Sequence, residues 1–255
     1  MPYKRKSVLA LLCMLIVTTT VVLGAIPTTS QTYAGILTLN WSGYVAAIEK
    51  QNPQQAVTGL RGTFTVPILI TGTRGGMAAI WVGIGGILAG DSTLIQAGIE
   101  GNLVSNAAEY YAWYELFPGP QTKLPMAIHG GDKVSVTVAL VKWPNHWKIV
   151  VENLATGKDQ TIFVRYNSSM RSAEWMVEAP TVCGDTCKQQ SLPYFEKVVF
   201  TNSTATVCGV EVPIDGNWYD SIVLVKLVGN MAVALTENSP LLYHGTSFVV
   251  RQRDT

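Results

Sequence analysis

The chain has 255 residues, of which 48% are hydrophobic and only 14% are charged, and its formal net charge is +1 at pH 7. This length is typical of one large all-β domain or two smaller ones, and a nearly neutral chain without a basic patch excludes the usual nucleic-acid binder. The charged fraction is also well below the roughly 25% of an average globular protein.

The N-terminus has the pattern of a secretory signal. Three basic residues at 4–6 precede an apolar run over 8–23, and the small residues Gly24 and Ala25 follow it. We therefore expect a secreted, monomeric protein, which a membrane would retain only if this segment stays uncleaved. The expected division is a signal peptide at 1–25, a short linker or vestigial pro-segment at 26–36, and a β-sandwich domain at 37–255.

The rest of the chain reads as short strands in quick succession. Val, Ile, Thr, Tyr and Trp dominate these segments, Gly, Pro, Asn and Asp separate them, and no helical period with caps occurs. Such spacing predicts a β-sandwich or barrel. The predicted strands are 37–48, 57–70, 77–84, 92–100, 104–117, 133–142, 147–153, 160–166, 171–178, 194–201, 206–212, 219–228, 231–236 and 241–251.

The cysteines beyond the signal segment predict one disulfide. Cys183 and Cys187 lie four apart in a polar stretch, and in an exported protein they are expected to pair. Cys208 stands in an apolar context and is expected to be a buried free thiol. The few histidines are scattered, so we expect no metal site and no cofactor.

Motifs for the common enzyme classes are absent. There is no nucleophile elbow, P-loop, dinucleotide-binding or metalloprotease motif. Alternate residues of a strand share a face, so Gln96, Gly98 and Glu100 are expected on one face of their strand. Two glutamates, Glu174 and Glu178, share one face of another strand, which leaves a sandwich-fold glycoside hydrolase open as an alternative. A non-catalytic, lectin-like carbohydrate-binding protein is a second alternative, with Trp41, Trp113 and Trp175 as stacking platforms.

Several short segments together resemble one family, the glutamic peptidases or eqolisins. Their order and spacing match that family across roughly residues 38–210. The resemblance implies a sandwich of two curved antiparallel sheets, similar to that of concanavalin A and the legume lectins. The matching segments are NWSGY (40–44), FTVP (64–67), IWVGIGG (80–86), LIQAGIE (94–100), YYAWYELFP (110–118), VENLATGK (151–158) and SAEWMVEAP (172–180).

The resemblance also implies roles for particular residues. Gln96 matches the catalytic glutamine and Glu178 the catalytic glutamate, whereas Glu174 matches a residue that is not catalytic. Gly85 departs from the family pattern, which has an aspartate at this position. The long basic pro-segment that is usual in the fungal enzymes is not expected in this chain. The matching substrate-groove residues are Trp41, Trp81, Trp113, Glu115 and Phe117, where Phe117 replaces a tyrosine.

This pair of residues suits amide hydrolysis by direct attack of water. An ionised Glu178 can take a proton from water and return it to the leaving nitrogen. The Gln96 side-chain amide can donate to the oxyanion while its oxygen orients the water. Because a free glutamate titrates near about 4.3, this chemistry predicts activity in mild acid, and the resemblance implies a pepstatin-insensitive endopeptidase that acts on polypeptides.

Overall fold

The computed structural model describes residues 35–47, 55–183, 186–216 and 218–253. The expected signal peptide and most of the expected linker lie outside these residues. Within them the regular structure is nineteen strands and one short 3-10 helix, η1 (Ile214–Gly216). The prediction of an all-β sandwich is confirmed.

The first large sheet contains nine strands and carries the predicted site residues. Its pairs are antiparallel except at one edge, where the first strand runs parallel to its neighbour. In spatial order the strands are β1 (Ile36–Thr38), β16 (Trp218–Val228), β2 (Trp41–Ala47), β11 (Ser172–Glu178), β4 (Gly76–Ile84), β5 (Leu94–Val104), β6 (Ala107–Phe117) and β7 (Thr122–Lys123), while β17 (Met231–Ala234) pairs with β16.

The second sheet contains eight strands and packs against the first. A separate two-stranded ribbon, β12 (Thr181–Cys183) with β13 (Cys187–Gln189), holds the predicted Cys183–Cys187 disulfide, which is present. In spatial order the strands of the second sheet are β10 (Lys158–Arg165), β9 (His146–Asn153), β8 (Lys133–Lys142), β3 (Val57–Thr65), β14 (Lys197–Val207), β19 (Phe248–Gln252) and β18 (Thr236–Asn238), while β15 (Val210–Pro213) pairs with β14.

The main core lies between the two sheets, where alternate residues of each strand point inward. Aromatic side chains fill much of it; the rings of Phe200 and Phe248 stack with centroids 4.6 Å apart. The Trp175 indole N–H donates to the Arg61 carbonyl oxygen at 2.8 Å, which ties β11 to β3 of the opposite sheet. This bond fixes the inward face of β11, and the residues of its other face point away from the main core.

The predicted strand over 206–212 was wrong. Cys208 and Gly209 have positive φ angles of 51° and 77°, so the chain turns there and forms a hairpin between β14 and β15. A left-handed turn breaks a strand whatever the hydrophobicity of its neighbours. Consequently Cys208 is exposed, and the expectation of a buried thiol is corrected, although the thiol is free of a disulfide as expected.

Two further strand boundaries also differ because of turns. Ser105 and Asn106, with φ of 49° and 66°, close a tight hairpin, so the strand predicted over 104–117 begins only at Ala107. The strand predicted over 241–251 begins only at Phe248. Among the described residues, no helix has the length and hydropathy needed to cross a lipid bilayer.

Candidate active site

The face of the nine-stranded sheet that points away from the main core carries the predicted site. Residues paired across neighbouring strands share a face, so the register defines rows across this groove face. The described register gives three adjacent rows: Glu174, Gly83, Gln96 and Glu115; then Met176, Trp81, Gly98 and Trp113; then Trp41, Glu178, Ala79, Glu100 and Tyr111.

The register therefore places Gln96 and Glu178 on the same face, on a diagonal whose centre is Trp81. Glu178 lies on β11 and Gln96 on β5, with β4 between them. The row of Trp81 separates their two rows. In a flat sheet this diagonal is about 16 Å between Cα atoms, so a reactant can lie between the two side chains.

Glu178 ends β11 and is held by an indole. The Trp81 N–H donates to Glu178 Oε2 at 2.8 Å, and the Trp41 ring meets the Trp81 ring edge-on, with centroids 5.2 Å apart. Edge-to-face packing of this kind fixes ring orientation. The fully buried Trp81 is thus a rigid donor that sets the position of the Glu178 carboxyl group.

The pKa of Glu178 is raised to about 7. Burial of the carboxyl group is the main cause, because desolvation disfavours the charged form. The indoles of Trp81 and Trp41 act in the opposite direction and lower the pKa, while the negative charges of Glu115 and Glu100 raise it further. Glu178 is therefore a group that can both bind and release a proton near neutral pH.

Gln96 is held in one orientation by its neighbour in the row. Its side chain is buried, and Nε2 donates to Glu115 Oε2 at 2.7 Å. An ionised carboxylate only accepts hydrogen bonds, so the amide nitrogen has to face Glu115. Burial raises the pKa of Glu115, and the hydrogen bond from Gln96 lowers it. The second N–H and the Oε1 atom of Gln96 are left for other partners.

Gly98 allows β5 to pair closely with β4 beside Trp81. A Cβ atom at this position would collide with the Ile80 carbonyl oxygen and would lie 2.7 Å from the Trp81 Cα atom. Real Cβ atoms do not tolerate such distances, so this position has to be glycine for β4 and β5 to pair as they do. The glycine thus lets β5, which carries Gln96, lie close against the backbone of Trp81.

The remaining predicted groove residues all lie on the same face. Trp113 is buried in the row of Trp81, and Phe117 is 40% exposed at the rim. The hydroxyl group of Tyr166, which the sequence did not single out, donates to the Phe117 carbonyl oxygen at 2.6 Å and accepts from the Leu94 N–H at 2.7 Å. It thereby joins the ends of β5 and β6 next to Gln96.

Sequence reasoning placed Glu100 on the groove face but gave it no role. In the structure Glu100 is buried, and Tyr111 donates to its Oε1 at 2.5 Å while Gln121 donates to its Oε2 at 3.3 Å. The Lys123 ammonium lies 3.7 Å from the Tyr111 ring centroid. Alternation along β5 places Glu100 on the same face as Gln96, and the strand register places it in the row of Glu178. Its negative charge raises the pKa of Glu178.

The missing aspartate at Gly85 has a local substitute. Gly85 has a φ of 95°, and a Cβ atom there would lie 3.1 Å from the Ser169 hydroxyl and 3.2 Å from that of Thr93. Asp91 binds both groups instead: its Oδ1 accepts from the Thr93 hydroxyl at 2.8 Å, and its Oδ2 accepts from Ser169. A carboxylate thus reaches this polar cluster from a different position in the chain.

Two alternative chemistries lose support from the structure. Glu174, which a glycosidase pair with Glu178 would need, is fully buried and cannot reach a sugar. Trp175, a platform in the lectin alternative, points into the main core. Within the described ranges, no group of three His, Cys, Asp or Glu side chains could hold a metal ion.

The fold is a two-sheet β-sandwich, and one face of its larger sheet carries a glutamine and a glutamate that are held by separate partners. A family model described as the Peptidase A4 family matches residues 39–239. The chain belongs to this family, the glutamic peptidases or eqolisins, and is a peptidase. No curated protein sequence matches significantly.

Solved structures of eqolisins share the fold. Scytalido-glutamic peptidase, in complex with a transition state analog inhibitor, superposes with a TM-score of 0.68 at 22% identity over 84% of this chain and 98% of its own. The eqolisin SCP-B, in complex with the tripeptide Ala-Ile-His, gives 0.65 at 21% identity with the same coverage. Aspergilloglutamic peptidase from Aspergillus niger gives 0.58 at 28% identity over 69% of this chain and 99% of its own.

Proposed function

We propose that this chain is an endopeptidase that works in mildly acidic solution, with Glu178 as general base and acid and Gln96 as the oxyanion donor. The observation that carries the proposal is the diagonal of these two residues around Trp81, each held by its own partner. Substrates are polypeptides, and the chemistry is direct attack by water.

The reaction needs three proton-handling functions, and the groove offers a group for each. Glu178 takes a proton from the attacking water and then gives it to the leaving nitrogen, so the residue ends the cycle in the state in which it began. The free N–H of Gln96 donates to the carbonyl oxygen as it becomes negative. The Gln96 Oε1 atom accepts from the water and orients it.

The pKa of Glu178 sets the expected working range. A general base has to be ionised in the free enzyme, and the balance between ionised fraction and basicity is best near its own pKa. The sequence-based expectation of acid activity used an ordinary glutamate; burial in the groove raises the pKa to about 7. We therefore place the highest activity in mildly acidic to neutral solution, with a tenfold loss per pH unit in stronger acid.

The groove suits an extended peptide rather than a chain end. The rows run across neighbouring strands from β2 to β6, so the catalytic diagonal lies in the middle of the face. The partly exposed ring of Phe117 offers an apolar contact to a substrate side chain, while the indoles of Trp41 and Trp113 are buried in the apolar cluster of the same face. Cleavage within a chain follows from this central position.

Export from the cell is part of the same proposal. The N-terminal segment has the signal pattern, and the Cys183–Cys187 disulfide is of the kind that persists in oxidising compartments. We expect the exported protein to act as a monomer, without metal or cofactor. Analytical ultracentrifugation and the mass of the intact secreted protein test these statements.

The decisive experiment is digestion of an unfolded protein between pH 3 and 8 with pepstatin present. Wild type, Glu178→Gln and Gln96→Ala are compared with Glu196→Gln, a matched control because Glu196 is an exposed glutamate outside the groove. We expect wild type and Glu196→Gln to cleave, and the two groove variants to lose at least a hundredfold in kcat. Full activity of folded Glu178→Gln would refute the assignment.

A further inference from the structure

A buried acid that the proposed chemistry does not use lies in the same row as Gln96. Glu174 is fully buried on the groove face of β11, and only Gly83 of β4 separates it from Gln96 in the register. Two strand spacings put the Cα atoms of Glu174 and Gln96 about 9.6 Å apart. Gln96 therefore has an acid on each side of its row, Glu115 on one and Glu174 on the other.

Both side chains have hydrogen-bonding capacity that no group among the described residues satisfies. The two carboxyl oxygens of Glu174 and the Oε1 atom of Gln96 are buried, and none of the three has a hydrogen-bond partner in that part of the chain. Burial raises the pKa of Glu174 well above its ordinary value. The side-chain hydroxyl of Ser172 lowers this pKa, and the charge of Asp91 raises it. A raised pKa favours the protonated form of Glu174, which carries an O–H donor, while Gln96 Oε1 is an acceptor.

The space between the two groups is small and closed to solvent. Gly83 has no side chain, and a Cβ atom there would lie 2.9 Å from a Leu94 methyl group and 3.0 Å from the Gln96 Cβ atom. Leu94 is itself buried. Two hydrogen bonds through one water span at most about 5.6 Å, which side chains leaning toward each other across a glycine can match.

We propose that Glu174 is a positioning residue for Gln96: its carboxyl group donates, through one buried water, to Gln96 Oε1. Together with the bond from Nε2 to Glu115, this fixes the amide from both ends and polarises its free N–H toward the substrate. The inference rests on the proposed function for the role of Gln96, but the contact itself does not depend on catalysis.

The choice of residue supports a role beyond packing. A neutral acid buried without a protein partner is costly, whereas an apolar side chain of similar volume at such a position is often neutral or stabilising. Leucine would therefore suit the apolar neighbours Val45 and Met176 better than glutamate, whereas Ser172 and Asp91 are the polar groups that act on Glu174. A donor that shares a row with an unsatisfied acceptor accounts for the glutamate.

Kinetics of two variants at Glu174 and one control test the proposal. Glu174→Gln keeps a neutral donor and is expected to keep kcat within about threefold, while Glu174→Leu loses it and is expected to lower kcat ten- to a hundredfold with little change in KM. Val45→Ala loosens the packing on the other side of Glu174 and should lower Tm without lowering kcat. Unchanged kcat in folded Glu174→Leu would overturn the proposal.

A spectroscopic readout separates this proposal from the proposed function. The side-chain NH₂ resonances of Gln96, assigned by their loss in Gln96→Ala, are expected to shift in Glu174→Leu and to stay near their wild-type positions in Glu174→Gln and Val45→Ala. This holds even if the protein cleaves nothing. Resonances that stay in place in Glu174→Leu would show that Glu174 does not contact Gln96, whatever the activity.

Discussion

The Trp81 indole N–H and the Glu178 Oε2 atom are joined by a 2.8 Å hydrogen bond at the centre of the groove face. This bond lowers the pKa of Glu178 against the effect of burial. Trp81→Phe removes the donor but keeps an aromatic ring, so we expect the pKa to rise further and the acidic limb of kcat/KM to move to higher pH. The measurement is the pH profile of kcat/KM.

Trp113→Phe is the matched control for that experiment. Trp113 is also buried on the groove face, but its N–H has no hydrogen-bond partner among the residues that the structure describes. The loss of ring volume should cost both variants about 1–3 kcal/mol of stability, while only Trp81→Phe should move the acidic limb. Equal shifts in both variants would show that packing, not the hydrogen bond, sets the pKa of Glu178.

The stability of the protein should fall as pH rises. The folded-state pKa of Glu178 is raised from 4.5 to about 7, so the native state binds more protons than the unfolded state in this window. The stabilisation is complete below about pH 4.5 and is lost as pH rises through about 7, by on the order of 3 kcal/mol. Urea unfolding at pH 4 and pH 8 measures it, and Glu178→Gln should reduce the dependence by that amount; an equally steep dependence in the variant contradicts the assignment.

Glu115 should affect both the amide and the general base. In Glu115→Leu the Nε2 atom of Gln96 loses its acceptor, so we expect kcat to fall about tenfold because the amide is no longer fixed. The negative charge that raises the pKa of Glu178 is also lost, so the acidic limb should move to lower pH. Steady-state kinetics across pH test both effects, and a fall in kcat without a shift of the limb would leave only the orienting role.

Gly98 should tolerate no side chain. Gly98→Ala places a Cβ atom against the Ile80 carbonyl oxygen and the Trp81 backbone, so β4 and β5 must separate. We expect a loss of more than about 4 kcal/mol or failure to fold. Gly72→Ala is the control: its φ of 78° strains any side chain by about 1 kcal/mol, but nothing lies within 4 Å. Comparable Tm values for the two variants would show that the pairing of β4 with β5 can adjust to a side chain at position 98.

Part of this site was readable from the chain because strand periodicity is a local property. Gln96, Gly98 and Glu100 alternate along one strand, as do Glu174 and Glu178 on another, so each set was assigned to a common face without any coordinates. The turns were read less well. The hairpin at Cys208 lies in an apolar stretch, and a left-handed backbone conformation cannot be recognised from the hydrophobicity of the residues.

The sequence by itself determined the all-β class, the residue types available for catalysis and, through ordered short segments, the family. Only the tertiary structure decided which residues are neighbours, because the pairing of β11 with β4 and of β4 with β5 joins segments far apart in the chain. That register placed Trp81 against Glu178, Glu115 against Gln96 and Glu174 across Gly83. Burial, a property of the packed sandwich alone, then raised the pKa of Glu178 and made its proton exchangeable near neutral pH.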